Sequence, residues 1–528
     1  MTRQMDISET RSDGNAALAA KDVLLDEIAA FHPRRPSFAF PLPHEIIPTL
    51  LIGAPPTVVH LSRLSDGDGD ILRKAGLSEQ FVHDLSADSN LREAALRSEY
   101  SGGVQFAPRS YNEFEEALFR KSFVRDASYV DTIFSVGGML VRNPFTGTVV
   151  KSSHSFLIDD YHVAFRFESV EVFYVMVGQT YGHRIALLVP RLRLVVVFQQ
   201  FLESPALLAW IVKCSDRLIE LLLHEREGLS AILSRPSLGG AVQIGFRQNL
   251  GHYVWQELQG IADLLSAHGA GAIGRLILGP YRPFDPRELF PELSDTPVTE
   301  VRDSKQPFAA TFALPYQPVR PVGLRIGRDL QRRIQLAVDR KVSSDVRQSV
   351  EQLTRSRFCI WINLRHHNKA WKQQVPGTID VMNRLHRIIP DLAVVFDGFP
   401  DTKAICSEIV NGLNPGIEVR DAIGCSLEES LVWARSVHLY SSVVGSGLII
   451  NSWLSRKPGV AHANVAHLRQ AGFWSLVAED AIAPQFLSPE AVTDDETMYG
   501  SYDFDAALLL GSLTSLARQF YPERVKDA

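Results

Sequence analysis

The sequence predicts an α/β protein: two Rossmann-like domains with doubly wound parallel sheets, preceded by an additional N-terminal region of mixed α+β character. Three observations carry this. The chain has 528 residues, too many for one ordinary core. Its 45 % apolar and 22 % charged residues lie in the range of globular proteins. From residue 358 onward, short apolar strands alternate with amphipathic helices, a pattern that calls for right-handed βαβ crossovers and a parallel sheet.

Composition also excludes classes. Lys plus Arg number 54 against 60 Asp plus Glu, a net charge of −6, so no cationic excess exists to hold a nucleic acid. Cys214, Cys359, Cys406 and Cys425 are far apart and form no CxxC, which argues against a zinc knuckle or a disulfide framework and for a reducing, cytoplasmic setting. The first residues are acidic where a signal peptide is basic, and 1–36 reads as a disordered tail. The apolar runs 192–198 and 207–212 are interrupted by Gln199, Gln200 and Glu203, too short for a membrane span, although peripheral attachment to a membrane stays open.

Taken in order, 37–237 is the mixed region. It holds a short apolar run at 57–61 and a helix over 111–121. The runs VEVFYVMV, HRIALLVP and LRLVVVF within 170–199, separated by GQTYG and Pro190, predict strands with turns, and 204–227 predicts a helix. The first Rossmann-like domain is expected over 238–335. AVQIGF (241–246) is a strand, 252–267 a helix and RLILG (275–279) a strand, whereas nine prolines in 280–323 predict long loops. The second domain is expected over 336–480: strands FCIWINL (358–364), LAVVFDG (392–398), IEVRD (417–421) and the start of VHLYSSVVGSG (437–447), with helices over 377–389, 402–412, 426–434 and 448–455. Ser426 with Glu429 forms a capping box. Residues 481–528 read as a helical tail.

In a parallel sheet, ligands gather at the carboxyl ends of the strands. Two such loops stand out. One carries Arg365, His366, His367, Asn368, Lys369, Trp371 and Lys372, a donor-rich cluster suited to a diphosphate, though a solvated basic turn fits the same residues. The other runs from Ser441 and Ser442 through Gly445, Ser446 and Gly447 into a helix whose free N–H groups suit phosphate; a tight turn alone is the plainer reading. His252 opens the helix after the strand at 241–246, where an imidazole can take a proton near neutral pH, with Glu257 five residues on; a capping or partly buried His is the alternative.

Three patterns are set aside. Gly269, Gly271 and Gly274 match GxGxxG but follow a helix, so they read as a helix C-cap, and no NAD or FAD site or other cofactor is expected. Asp66, Asp68 and Asp70 resemble a calcium loop, but Ile71 and Leu77 stand where Gly and Glu belong, which leaves a solvated turn. His366 and His367 are adjacent and lack a nearby carboxylate at ligand spacing, so no metal site is expected.

The stretches NLRHHNKAW (363–371) and SSVVGSGLIINSWLSRKP (441–458) resemble the Lys-x-Trp loop, and the glycine turn and helix under the donor diphosphate, of bacterial heptosyltransferase-like glycosyltransferases with GT-B architecture. GHYVWQE (251–257) is similar to the His-aromatic helix start of capsular-polysaccharide-type transferases. The resemblance spans about 240–475; an acidic base motif and a glycine-rich acceptor loop are missing from it. It implies two Rossmann-like domains facing across a cleft and transfer of a sugar from a UDP-, GDP- or ADP-sugar to a hydroxyl of a glycan, lipid-linked saccharide or protein, with inversion and without an obligatory metal. The candidate donor-binding set is Arg365, Lys369, Ser442, Gly445, Ser446, Gly447 and Asn451, with His252 as base and Glu257 in reserve. A catalytically silent binding scaffold, or another sugar-modifying transferase such as a pyruvyltransferase, is the alternative.

Overall fold

The computed structural model describes residues 56–526 apart from 88–89, 122–126, 161, 179–181, 199–204, 305, 496 and 498. The tail expected over 1–36 lies outside the described residues. Three main sheets organise the chain.

The N-terminal sheet contains β1 (Thr57–His60) and, after a run of short helices and the small hairpin of β2 (Leu140–Arg142) and β3 (Val149–Lys151), the meander of β4 (His154–Leu157), β5 (His162–Phe167), β6 (Phe173–Gly178), β7 (His183–Val189) and β8 (Leu194–Val197). Neighbouring strands from β4 to β8 are antiparallel, and β1 pairs in parallel with β8. Both faces are covered. Val163, Phe165, Val175 and Leu187 share one core with Val82 and Ile133 of two short helices. Ala164, Tyr174, Met176 and Leu188 share the other with Leu218 and Leu222 of the helix Pro205–His224. Burial on both sides explains why these strands read as continuous apolar runs instead of alternating ones. The acidic run at Asp66 differs from the solvated turn expected. Ser65 and Asp68 close a capping box that starts the helix Asp66–Lys74, and the carboxylates favour its positive end.

The second sheet is parallel: β9 (Gly240–Ile244), β10 (Arg275–Leu278), β11 (Val298–Glu300) and β12 (Gln317–Val319), in the order β11-β10-β9-β12. The proline-rich stretch therefore holds two short strands as well as loops. Pro318 is tolerated because β12 lies at the edge, where a missing N–H costs no internal ladder bond.

The third sheet is parallel too, with β13 (Phe358–Asn363), β14 (Leu392–Asp397), β15 (Glu418–Asp421), β16 (Leu439–Val443), β17 (Gly459–His462) and β18 (Gln485–Phe486) in the order β15-β14-β13-β16-β17-β18. Ser426 caps the helix Leu427–Ser436 through the expected box with Glu429. After residue 480 the chain is not helical throughout. It adds β18 and a hairpin, β19 (Thr493–Asp494) with β20 (Tyr502–Asp503), before the helix Ala506–Phe520 packs on Gln374–Ile388. Two-residue strands are too short to leave a period in the sequence.

Candidate functional site

Each parallel sheet has one point where the strand order reverses, and ligand crevices form there at the carboxyl ends. In the third sheet that point lies between β13 and β16, so the loops after Asn363 and after Val443 form its two lips. Arg365 and Lys369 stand on one lip and Gly445 on the other. A Cβ built on Gly445 would lie 3.2 Å from Lys369 Nζ and 3.3 Å from Arg365 Nη2, so both cations converge on this glycine. Its backbone, φ 156° and ψ −152°, falls where glycine alone sits readily.

The two cations are held differently. Gln374 grips the Arg365 backbone from both sides, accepting its N–H and donating to its carbonyl, each at 2.9 Å. The guanidinium itself has no hydrogen-bonded partner among the described residues, and its Nε is buried. Phe399 lies 5.9 Å from Cζ, and Asp397 and Asp401 contribute a favourable field. Lys369 Nζ donates to the Val444 carbonyl at 2.8 Å, which leaves two N–H bonds for a ligand. Burial first, and Arg365 second, lower its pKa to about 8. Both Asn368 (φ 33°) and Lys369 (φ 54°) are left-handed, an uncommon conformation that the surroundings must impose. The C-terminal segment imposes it: Lys369 N–H donates to Tyr499 O, Lys372 N–H to Tyr502 O, and Trp371 Nε1 to Asp503 Oδ1, with the indole stacked on Phe504 at 4.3 Å.

Ser446 is exposed at the start of the helix Ser446–Ile449, which continues as a π-helical turn through Leu454. Gly447 is buried because the Asn363 side chain fills the space a Cβ would need, at 2.8 Å. Two of the expected donor residues do not reach the crevice. Ser442 and Asn451 are fully buried, and the Asn451 amide is turned onto the Gly447 carbonyl (3.0 Å), so both support the lip from behind. Every residue of β16 and of the π-helical turn Ile450–Leu454 is buried, so both side chains are enclosed on whichever face they lie.

The second sheet reverses between β9 and β12. The helix that starts there, Leu250–His252 continuing as a π-helical stretch Tyr253–Leu258, is capped by Asn249 Oδ1 accepting the His252 N–H at 3.1 Å. Its head meets the other crevice's helix. A Cβ on Gly251 would strike Ile449 Cδ1 at 2.5 Å, and Trp255 packs edge-on against Trp453 at 6.3 Å. His252 is half-buried, with Nδ1 2.8 Å from Gln256 Oε1. Burial, then the charges of Arg320 and Arg247, push its pKa down to about 3.

Glu257 cannot act as a base from this position. It is 2 % exposed, its Oε1 is taken by Arg320 Nε and its Oε2 by the Gly245 N–H, both at 2.7 Å. The Glu257–Arg320 pair ties the turn after β9 to the end of β12, a positioning role. His366 and His367, exposed beside Arg365, both approach Asp401 Oδ2, at 3.6 and 3.2 Å. The carboxylate absent from the local sequence thus comes from the loop after β14.

Sequence reasoning missed three contributors near the third-sheet crevice. Asp397, which accepts Asn363 Nδ2 at 2.8 Å, has a carboxyl pushed up to about 6 by burial. His467, buried and bonded to Asn464 Oδ1 at 2.7 Å, lies in the field of Lys369, and burial lowers its pKa to about 4. Tyr499, 64 % exposed, sits beside His467. Only Asp397, at a strand's carboxyl end, carried a sequence signal.

No family model and no curated protein matches this chain. Among solved structures, it is similar to a glycosyl transferase family 9 protein from Veillonella parvula DSM 2008, with 13 % identity and a TM-score of 0.29 over 50 % of this chain and 78 % of that one. It is also similar to TarM, with 10 % identity and a TM-score of 0.17 over 77 % and 84 % of the two chains. Likenesses this low carry no functional weight; the residues of the two crevices carry it.

Proposed function

We propose that the chain is a glycosyltransferase of GT-B type that moves a sugar from a nucleotide-sugar donor to a hydroxyl acceptor, with inversion and without an obligatory metal. One observation carries the reading: a half-buried arginine with no hydrogen-bonded partner in the described protein and a lysine of lowered pKa converge on a glycine at a sheet's reversal point. Holding two cations together away from water is unfavourable unless an anion joins them, and a diphosphate matches both the fork of Arg365 and the point charge of Lys369. The loop and helix motifs that form the two lips are the ones that resemble the donor site of heptosyltransferase-like enzymes.

In this reading Arg365, Lys369 and the backbone at Ser446 and Gly447 neutralise the leaving nucleoside diphosphate, the stabilisation that glycosyl transfer needs most. His252, on the helix that packs against the donor-side helix, takes the acceptor hydroxyl's proton. Gln256 Oε1 can only accept, so in this arrangement His252 Nδ1 carries the proton and Nε2 is the basic nitrogen. Glu257 holds the strand ends and does not touch substrate. The first domain in this reading spans about 238–335 and the second begins near 336, with β18 at Gln485–Phe486 extending its sheet past 480.

One observation favours the silent-scaffold reading: a pKa of about 3 makes His252 a weak base in the free protein. Negative charge of a bound donor beside His252 would raise it. A thermal-shift screen of UDP-, GDP-, ADP- and CMP-sugars tests the donor site, because a ligand at 100 times its Kd stabilises by about 2.7 kcal/mol. His252→Ala then separates the two readings. Turnover should fall by roughly 10²–10⁴-fold with donor binding little changed, whereas donor binding without turnover on any acceptor establishes the scaffold.

A further inference from the structure

The strand ends beside the anion crevice carry a second ligand set. Asn363 and Asp397 are paired neighbours in the sheet, so the loops after β13 and β14 leave side by side. Three and four residues beyond Asn363 come His366 and His367, and four beyond Asp397 comes Asp401, at the turn Pro400–Thr402. The Nδ1 atoms of both imidazoles face one carboxylate oxygen, Asp401 Oδ2, at 3.6 and 3.2 Å, and the three ligand atoms all lie within 4.8 Å of one another.

The two imidazole–carboxylate separations are close to those of a coordination shell. Zinc–nitrogen and zinc–oxygen bonds of about 2.0–2.1 Å at tetrahedral angles place neighbouring ligand atoms about 3.3 Å apart. The two rings are nearly perpendicular, at 88°, and so approach the common point from different directions instead of competing for one. Two neutral imidazoles and one carboxylate suit the borderline divalent transition metals, while calcium and magnesium favour all-oxygen sets. All three residues are exposed, which gives an ion an entry path and leaves a coordination position for water or a ligand oxygen.

We propose that His366, His367 and Asp401 bind one divalent transition-metal ion of the zinc class. The ion bridges two adjacent strand ends and braces the loop that carries Arg365 and Lys369, a loop that already holds two consecutive left-handed residues at Asn368 and Lys369. Metal binding here is independent of what the anion crevice takes as its donor. The site is also distinct from the buried group of Asp159, His162 and Cys214, where burial raises the thiol pKa to about 12 and so opposes the thiolate a metal requires.

The test is a titration of the full chain, stripped of metal with a chelator, with Co²⁺ followed by visible absorption, then displacement by Zn²⁺. The expected result is one Co²⁺ per chain with the intense ligand-field bands of a four-coordinate site, bleached by one equivalent of Zn²⁺. His367→Gln and Asp401→Asn, both surface substitutions, should each weaken binding by at least the roughly 10–100-fold that loss of an outer-shell partner costs. His268→Gln, which alters a histidine 3.3 Å from Asp131 that joins no metal-ligand cluster among the described residues, should leave it unchanged. Absence of stoichiometric binding, or binding equally tight in His367→Gln and Asp401→Asn, would overturn the assignment. Circular dichroism of each variant confirms that a loss is not unfolding.

Discussion

Arg365→Gln is the perturbation that bears most directly on the anion crevice. The guanidinium makes no hydrogen bond within the described protein, while its backbone is fixed by Gln374 through both N–H and carbonyl. The substitution therefore removes the group proposed to meet the anion and spares the loop's frame. A hydrogen bond to a charged group contributes about 1.5–3 kcal/mol, so the Kd for inorganic diphosphate should rise by roughly 10–150-fold. Stability without ligand should change little, because the half-buried charge that is removed makes no hydrogen bond and is offset only by the field of Asp397 and Asp401. Lys369, whose pKa of about 8 reflects burial and then Arg365, should shift upward. Isothermal titration calorimetry with diphosphate at several pH values, beside urea denaturation of the free protein, reads all three quantities. Unchanged affinity, or a large loss of stability with no change in affinity, would refute the idea that Arg365 is held in reserve for an anion.

Three further outcomes follow from the same geometry. Gly445→Ala places a methyl 3.2–3.3 Å from both cations and imposes a backbone that glycine alone tolerates, so it should cost about 1–3 kcal/mol of stability and weaken diphosphate binding, seen as a lower Tm and a higher Kd. Diphosphate affinity should fall as pH rises through about 8, because Lys369 then loses its proton; the bound anion favours the charged form, so binding near that pH takes up a proton, measurable as a dependence of the calorimetric heat on buffer ionisation, and Lys369→Gln abolishes it. Glu257→Gln removes the carboxylate that pairs with buried Arg320 and should cost about 3–5 kcal/mol in urea denaturation, far more than a substitution at an exposed residue such as Ser446, and an unchanged midpoint would remove Glu257 from its positioning role.

The third sheet and both lips of its crevice were legible in the sequence because their signals are local. Strand β13, the helix Leu427–Ser436 with its Ser426 cap, and the turn at Gly445 each follow from periodicity, capping chemistry and glycine's conformational range within a dozen residues. Strand order is not local. That β13 and β16 are neighbours, and hence that Arg365 and Lys369 meet Gly445 across roughly 80 residues of chain, follows from which edges the crossovers leave free to pair. The same holds for burial. His252, Glu257, Ser442 and Asn451 are all polar residues near strand ends, and sequence places them alike. Packing separates them: His252 is half-buried where Gly251 meets Ile449, Arg320 arriving from the end of β12 locks Glu257, and the complete burial of β16 and its following π-helical turn encloses Ser442 and Asn451. Asp401 belongs with them, since its approach to His366 and His367 depends on two strands lying in register. Local sequence determined which segments are strands, helices and turns, because those depend on neighbouring residues; the tertiary structure alone decided which polar side chains share a site, because that depends on distances between segments far apart in the chain.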